Sequence, residues 1–250
     1  MDYLKYNLKQ GYKKIYKFYE LNNHIMTLGL DIYWRKKASK IIKQILINEN
    51  RDDKFICFDL CVGTGEFLEQ IFYDTSKIYS NSIYLGVDFS FEMLSICKQK
   101  KVYKNPNVFL IIADVGFLPF KNNKAKLVTI SLGIRNLKNP NDLAIDGMFY
   151  HRFKEIYRVI CEGGYFCGLE TSRPPNKFIR TISDFFTLHF STNLAKIISG
   201  DFKTYTYLAK SIVDFLDAQE FKNFLLSINF KKVDYYLFTF GVVSLHIAQK

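Results

Sequence analysis

The sequence predicts an α/β fold: a mostly parallel seven-stranded sheet with helices on both faces, a terminal antiparallel hairpin and a helical cap insertion. Three observations predict it. From Lys54 to Glu170, short apolar runs alternate with helical stretches at separations too long for hairpins, which requires crossover connections. The first of these runs ends in a tight glycine turn, FDLCVGTGEF at 58–67, that opens a helix. The last segment, NFKKVDYYLFTFGVVSLHIAQK, divides into two strand-like halves around Thr-Phe-Gly.

Residues 1–50 read as helices. Leu4, Leu8, Tyr12, Ile15, Tyr16 and Tyr19 recur at three- and four-residue steps as one apolar stripe. Lys5, Lys9, Lys13 and Lys17 occupy other faces, as a solvated surface or as a basic segment resting on a membrane. A second helix runs from about Asp31 to Leu46, and the charged turn NENRDD marks a boundary. The core, 51–173, then reads strand KFICFDL, helix GEFLEQIFYDT, strand SIYLGVD, helix SFEMLSICKQKK and strands NVFLIIAD and KAKLVTISLG. Helix GMFYHRFKEIYRVI and strand GGYFCGLE complete it. Residues 174–225 begin with two prolines and continue in helical stretches without an obvious strand, so they read as a cap; 226–250 is the hairpin.

Composition narrows the function. At 250 residues the chain can bury a sizeable core, and no apolar run approaches the about 18 residues of a membrane span. The first residues lack the apolar stretch of a secretory leader and the arginine and serine of a transit peptide. The five cysteines form no C-x-x-C pair and the four histidines lie far apart, which predicts neither a disulfide framework nor a metal site and suits a reducing cytoplasm. The net charge of +11 comes mostly from lysine. It lacks the concentrated basic patch with interleaved aromatics that nucleic-acid binding requires, so no specific nucleic acid is expected.

The glycine turn selects among ligands. A P-loop needs Gly-Lys-Ser/Thr after its glycines, and none follows Gly65. A dinucleotide fingerprint needs glycine at position 68, which is Leu68. The carboxylates point elsewhere. Asp88 ends the second strand, placed to accept from ribose hydroxyls. Asp114 ends the third, placed to accept from an adenine amino group. Asp59 lies beneath Gly63-Thr64-Gly65 and Glu66 just beyond, suited to a cationic amino group or sulfonium. This much negative charge repels a phosphate and suits S-adenosylmethionine.

Here the sequence resembles the class I S-adenosylmethionine-dependent methyltransferases, which are Rossmann-like, and more closely the ubiquinone/menaquinone biosynthesis C-methyltransferase family. FYELNNHIMTLGLDIYWRK is similar to that family's N-terminal signature, and FDLCVGTGE and GVDFSFEML to its cofactor motifs. ADVGFLPF, TISLGIRNL, YRVICEGGYFCGLETSRP, YTYLAKSI and FGVVSLHIAQK follow in the family's order. Departures are Cys61-Val62 before the glycines, Glu66 in place of Asp, CEGG in place of Lys-Pro-Gly-Gly, and a longer stretch DLAIDGMFYHRFKEIYRV.

The resemblance implies methyl transfer from S-adenosylmethionine to a ring carbon of a polyprenylated quinol, a naphthoquinol or a benzoquinol. It implies a cofactor set of Asp59, Gly63, Thr64, Gly65, Asp88, Asp114, Val115 and Ser131. Arg135 and Asn136, after the fourth strand, are the expected catalytic pair, holding and polarising a quinol oxygen. Tyr205 and Tyr207 are candidates to close over the ring, or else pack within the cap. Ser211 is expected to secure the cap, Glu170 to approach cofactor or quinol, and His246 to be a satisfied strand residue. The phenylalanines at 178, 185, 186, 190 and 202 would line a tail channel or form the cap's own core. A lipid-tailed substrate implies peripheral contact with a membrane. The oligomeric state stays open, a homodimer included. Other expectations that remain are a methyltransferase for another small molecule or RNA, a non-catalytic scaffold of quinone synthesis, and a nicotinamide dehydrogenase.

Overall fold

Seven strands form one sheet in the computed structural model: β1 (Ile56–Leu60), β2 (Ile83–Asp88), β3 (Val108–Ile112), β4 (Ala125–Ser131), β5 (Ile160–Thr171), β6 (Lys232–Phe238) and β7 (Val243–Gln249). Their order is β3-β2-β1-β4-β5-β7-β6. The first five are parallel, and β7 runs antiparallel to both β5 and β6, as the sequence predicts. Residues 8–49, 54–138, 147–191, 193–194 and 202–250 are described. The stripe's Leu4, Lys5 and most of the NENRDD turn lie outside them, as does 142–146 of the lengthened stretch.

The helices are α1 (Leu8–Ile15), α2 (Tyr19–Met26), α3 (Leu30–Glu49), α4 (Glu66–Thr75), α5 (Phe91–Cys97) and α6 (Met148–Val159). After β5 come α7 (Lys177–Phe185), α8 (Phe202–Val213) and α9 (Ala218–Ser227). A 3-10 turn at Tyr16–Phe18 divides the N-terminal stripe into α1 and α2. The helix expected over 90–101 stops at Cys97, and a 3-10 turn at Lys101–Lys104 follows.

Alternation along the strands sends successive side chains to opposite faces. One face buries Cys57, Leu127, Cys167 and Leu169 under α3 and α4. On α3 the contact is Trp34, Ala38, Ile42 and Leu46, four residues apart, so a single stripe meets Phe67, Leu68 and Ile71 of α4. The other face buries Phe58, Leu60, Val128, Ile130 and Phe166 under Phe149, Phe153 and Ile156 of α6 and Phe221 and Leu225 of α9. Thus α9, at the end of the stretch read as a cap, covers the sheet instead. A capping box between Asp217 and Glu220 starts that helix. Among the described residues no helix is long and apolar enough to cross a membrane.

From β1 the chain winds outward through β2 and β3, then returns to β4 on β1's other side. Strand order therefore reverses between β1 and β4, and the crevice beyond their carboxyl ends is where such sheets hold ligands.

Candidate active site

At the carboxyl end of β1 the backbone takes three left-handed conformations, at Cys61 (φ 53°), Gly63 (φ 57°) and Gly65 (φ 88°). Glycine is needed most at Gly65, where a Cβ would stand 2.0 Å from the Tyr103 hydroxyl. That hydroxyl donates to the Gly65 carbonyl at 2.8 Å. The turn is pinned at its other end too: the Gly63 N–H donates to Asp88 Oδ2 at 2.9 Å, and the Cys97 thiol to the Gly63 carbonyl at 3.1 Å. Early termination of α5 lets the next turn swing Tyr103 onto Gly65.

The acids sit where the strand ends predict. Asp59 and Thr129 are register partners on β1 and β4, and the Thr129 hydroxyl donates to Asp59 Oδ1 at 2.6 Å. Burial pushes Asp59 up to about 7, against hydrogen bonds from Thr129 and the Leu68 backbone. Asp88 accepts from Gly63 and, through Oδ1, from the Ser90 N–H at 2.9 Å; burial lifts it to about 6. Asp114 is more open to solvent, accepts from the Gly116 N–H at 2.7 Å and lies 3.7 Å from Arg152 Nε. Val115 beside it is buried in the core, and Thr64 is buried within the turn.

Arg35, Asp59, Gly63, Thr64, Glu66, Ser131 and Tyr19 line a cavity of ≈ 20 Å³, room for about one water. Its small size follows from Tyr19 of α2, whose ring lies against Gly63. Burial raises the Tyr19 phenol, opposed by the Arg135 charge and an Asn23 hydrogen bond. Ser131 Oγ is buried there with no hydrogen-bond partner among the described residues. An orphaned hydroxyl, two buried carboxylates and a backbone cradle offer acceptors for ammonium, sulfonium and hydroxyl groups and, among the described residues of the lining, no cation for a phosphate beyond the already paired Arg35. The residues therefore fit S-adenosylmethionine.

Arg135 lies in the 3-10 turn Ile134–Leu137 beyond β4. Its Nη1 donates to Glu170 Oε1 at 2.7 Å and to the Leu132 carbonyl at 2.8 Å, and its backbone N–H to Glu170 Oε2 at 3.1 Å. Glu170 thus grips the arginine through both carboxylate oxygens. Asn136 follows, with its amide oxygen buried. Gly133 before the turn abuts Cys61, where an added Cβ would meet the Cys61 Cβ at 2.8 Å, so the arginine turn and glycine turn touch.

The remaining expectations fall differently. Tyr205 and Tyr207 are buried with Ile15, Met93 and Leu208, and Asn22 Nδ2 donates to the Tyr205 hydroxyl. The contact tethers α2 to α8. Ser211 bonds only its own helix at the Leu208 carbonyl among the contacts seen. His246 is a satisfied strand residue: Nε2 contacts the Ala218 carbonyl at 2.8 Å, and burial pushes the imidazole down to about 4. Burial also raises the Cys61 thiol, and Cys97 to about 12, so neither is a nucleophile at neutral pH.

Glu66, at the cavity's edge, also belongs to an ion-pair network. Its Oε2 lies 3.2 Å from Arg35 Nη1 and its Oε1 3.3 Å from His24 Nε2. Arg35 also pairs with Asp31 at 2.6 Å, and Asp31 contacts His24 Nδ1 at 2.9 Å. Sequence reasoning missed this network as it missed Tyr103. Its signal was present in NHIMTLGLDIYWR, where His24, Asp31 and Arg35 are spaced to converge across a turn and one helical step. Three of these groups could ligate a metal by distance, but the guanidinium already occupies two of the carboxylates.

Comparison with known proteins establishes the family. The chain belongs to the ubiE/COQ5 methyltransferase family, whose family model matches residues 2–250. It is 32% identical over 241 residues to the ubiquinone/menaquinone biosynthesis C-methyltransferase UbiE of Campylobacter jejuni, covering 96% of this chain and 95% of that one. It is 30% identical over 243 residues to the demethylmenaquinone methyltransferase of Oceanobacillus iheyensis, covering 96% and 93%. Among solved structures, an O-methyltransferase family protein of Burkholderia thailandensis matches with a TM-score of 0.63 at 12% identity, over 92% of this chain and 58% of that one. A SAM-dependent methyltransferase of Aquifex aeolicus matches with a TM-score of 0.52 at 12% identity, over 83% and 88%. These two likenesses establish the α/β methyltransferase fold.

Proposed function

We propose that the protein transfers a methyl group from S-adenosylmethionine to a ring carbon of a polyprenylated quinol, converting a demethylmenaquinol to a menaquinol. The observation that carries the reading is the Arg135 guanidinium, fixed by Glu170 in a turn that touches the cofactor-type glycine loop. When bound, S-adenosylmethionine supplies an electrophilic methyl on a positively charged sulfur. Gly63 and Gly65 would admit the nucleoside to the backbone, Asp88 and Asp114, at strand ends, would hold ribose and adenine, and Asp59 and Ser131 would hold the amino acid end.

A ring carbon attacks the methyl best when the neighbouring phenol is drawn towards phenolate. Arg135 is a poor base because a guanidinium stays protonated, so its part is to hold and polarise that oxygen. Asn136 can fix the same oxygen. A ring so held needs to stand about 3–3.5 Å from the methyl for in-line transfer. The ring carbon would take the methyl as the sulfur–methyl bond breaks and sulfur leaves as a neutral thioether; the ring proton would then pass to water and aromaticity return.

The experiment follows label from S-adenosylmethionine into two short-tailed quinols, a demethylmenaquinol and a methoxybenzoquinol. Label in the naphthoquinol is expected. Label in the benzoquinol alone would reassign the acceptor, and cofactor binding with label in neither would overturn the reading.

A further inference from the structure

An amphipathic helix on a protein surface normally turns its apolar side inward. In α7 the order is reversed. None of its residues is buried. Phe178, Ile182 and Phe185, at steps of four and three, form one outward face, with Phe178 74% and Phe185 65% exposed. Phe190, in the π-helical turn that follows, is also exposed. Asp184, the only acid of α7, lies on the half-buried side.

This face does not stand alone. The β6–β7 turn carries Phe240, 78% exposed and held outward by a left-handed backbone (φ 57°). The next residue, Gly241, packs so closely on Pro174 and Pro175 that a Cβ there would meet Pro175 Cδ at 2.7 Å. The turn is therefore fixed beside the start of α7. Trp34 Nε1 donates to Thr239 Oγ1 at 2.8 Å, which fastens α3 to the same turn and brings exposed Tyr33 alongside. Lys37 bridges them, its Nζ 5.7 Å above the Tyr33 ring and 4.7 Å above Phe238. Lys36 and Lys177 are exposed at the margins. All of this lies at the carboxyl ends of the parallel strands, the end that holds the glycine turn and Arg135.

Exposed aromatics ringed by lysines are what an interfacial protein presents to lipid: rings enter the headgroup region while ammonium groups meet anionic phosphates. An apolar face of this size on a water-facing surface calls for a partner. The chain's net charge of +11 complements an anionic one. We infer that α7 and the β6–β7 turn, through Phe178, Ile182, Phe185 and Phe240, dock on an anionic phospholipid bilayer. The inference rests on the polyprenylated acceptor proposed above, which resides in such a bilayer, and it assigns the contact to this face and not to the N-terminal lysines.

The test is co-sedimentation of the full chain with vesicles of phosphatidylethanolamine and phosphatidylglycerol, and with vesicles of phosphatidylcholine alone. The wild-type chain is expected on the anionic vesicles, and Phe178→Ser/Phe185→Ser to bind them about tenfold or more weaker. Phe240→Ser and Lys177→Glu/Lys36→Glu should each weaken binding, and the charge variant should lose the preference for anionic lipid. All five substituted rings and lysines are on the surface, and methyl transfer to a tail-less quinol in detergent-free buffer should be unchanged. Wild-type chain that stays in the supernatant, variants that pellet as wild type, or self-association through this face in the absence of vesicles would each overturn the docking surface. Loss of methyl transfer to the tail-less quinol by the wild-type chain would instead count against the proposed reaction.

Discussion

Glu170 holds Arg135 at two points, its side chain through Oε1 and its backbone N–H through Oε2. Both residues are buried, and Glu170 also accepts from the Thr171 N–H and hydroxyl. The carboxylate thus fixes both the position of the turn and the Nη1 end of the guanidinium. Such an arrangement predefines where a polarised oxygen must sit, so little reorganisation accompanies reaction.

Replacing Glu170 should therefore separate geometry from binding. Glu170→Gln keeps the volume and loses the charge, and kcat should fall about 10- to 100-fold with S-adenosylmethionine affinity nearly unchanged. Glu170→Ala removes the counter-charge of a buried guanidinium, which keeps the Leu132 carbonyl, and should cost about 3–5 kcal/mol of stability. Single-turnover methyl transfer and cofactor titration distinguish the two. An equal loss of cofactor affinity in Glu170→Gln would show that the pair supports the glycine turn instead.

The Tyr103–Gly65 contact makes a second prediction. Alanine at Gly65 meets the tyrosine hydroxyl and also has to adopt φ near 88°. The backbone cost alone is about 1–2 kcal/mol. Gly65→Ala should lower the melting temperature and abolish cofactor binding, whereas Tyr103→Phe removes one hydrogen bond and should cost about 1 kcal/mol. The double variant Gly65→Ala/Tyr103→Ala should regain only the part of the loss due to the clash. Full recovery of binding would mean that the left-handed backbone is not what the turn needs.

Those two contacts also show what the sequence made legible. The strand–helix alternation, the reversal point and the glycine turn are local patterns, so the sheet and the place of Asp59, Asp88 and Asp114 could be read directly. Arg135 was recognised through its motif, but Glu170, 35 residues on, became its partner only because β4 and β5 are neighbours. Tyr103 is 38 residues from Gly65 and sits in a lysine-rich turn with no pattern of its own. For Tyr205 the sequence leaves closing over a ring and packing within the cap equally open, because its hydrogen-bond partner Asn22 lies 183 residues away. Periodicity reports which residues are apolar on a helix; it does not report which neighbour the helix meets. The outward face of α7 is the same limit seen from the other side, since its pattern is that of any amphipathic helix.

Arg35 is the centre of the third prediction. Its guanidinium touches Asp31 and Glu66, and His24 contacts both acids as well. Asp31 is fully buried; burial opposes its charge, yet Arg35, Thr27 and His24 hold its carboxyl below the ordinary value. A carboxyl so lowered contributes stability above its unfolded value, and that contribution disappears as pH falls through the folded one. Arg35→Met should cost about 3–5 kcal/mol at neutral pH and shrink the acid-side loss of stability, because Asp31 then gains less from ionising. The same change frees the first turn of α4 and should weaken cofactor binding. Denaturant melts of both proteins across the acid range check it; parallel curves would remove Arg35 from the account.

The last prediction concerns Asp59 and Asp88, whose shifts have the opposite sign. Burial lifts them to about 7 and about 6, above the ordinary carboxyl value of 3.8. Between those values the folded chain binds more protons than the unfolded chain, so stability from these groups is highest at the acid end and falls as pH rises towards about 7. Asp59→Asn should flatten that fall and stabilise the protein at pH about 8. A ligand carrying a sulfonium and an ammonium favours the ionised acids, which lowers their values and expels the proton that Asp59 holds. S-adenosylmethionine should therefore bind more tightly as pH rises from about 5 to about 8, releasing protons near the middle of that range. Calorimetry in two buffers of different ionisation enthalpy reads the release directly. Asp59→Asn should lose most of the proton release along with part of the affinity, whereas wild-type release that persists undiminished in the variant would assign the proton to another group.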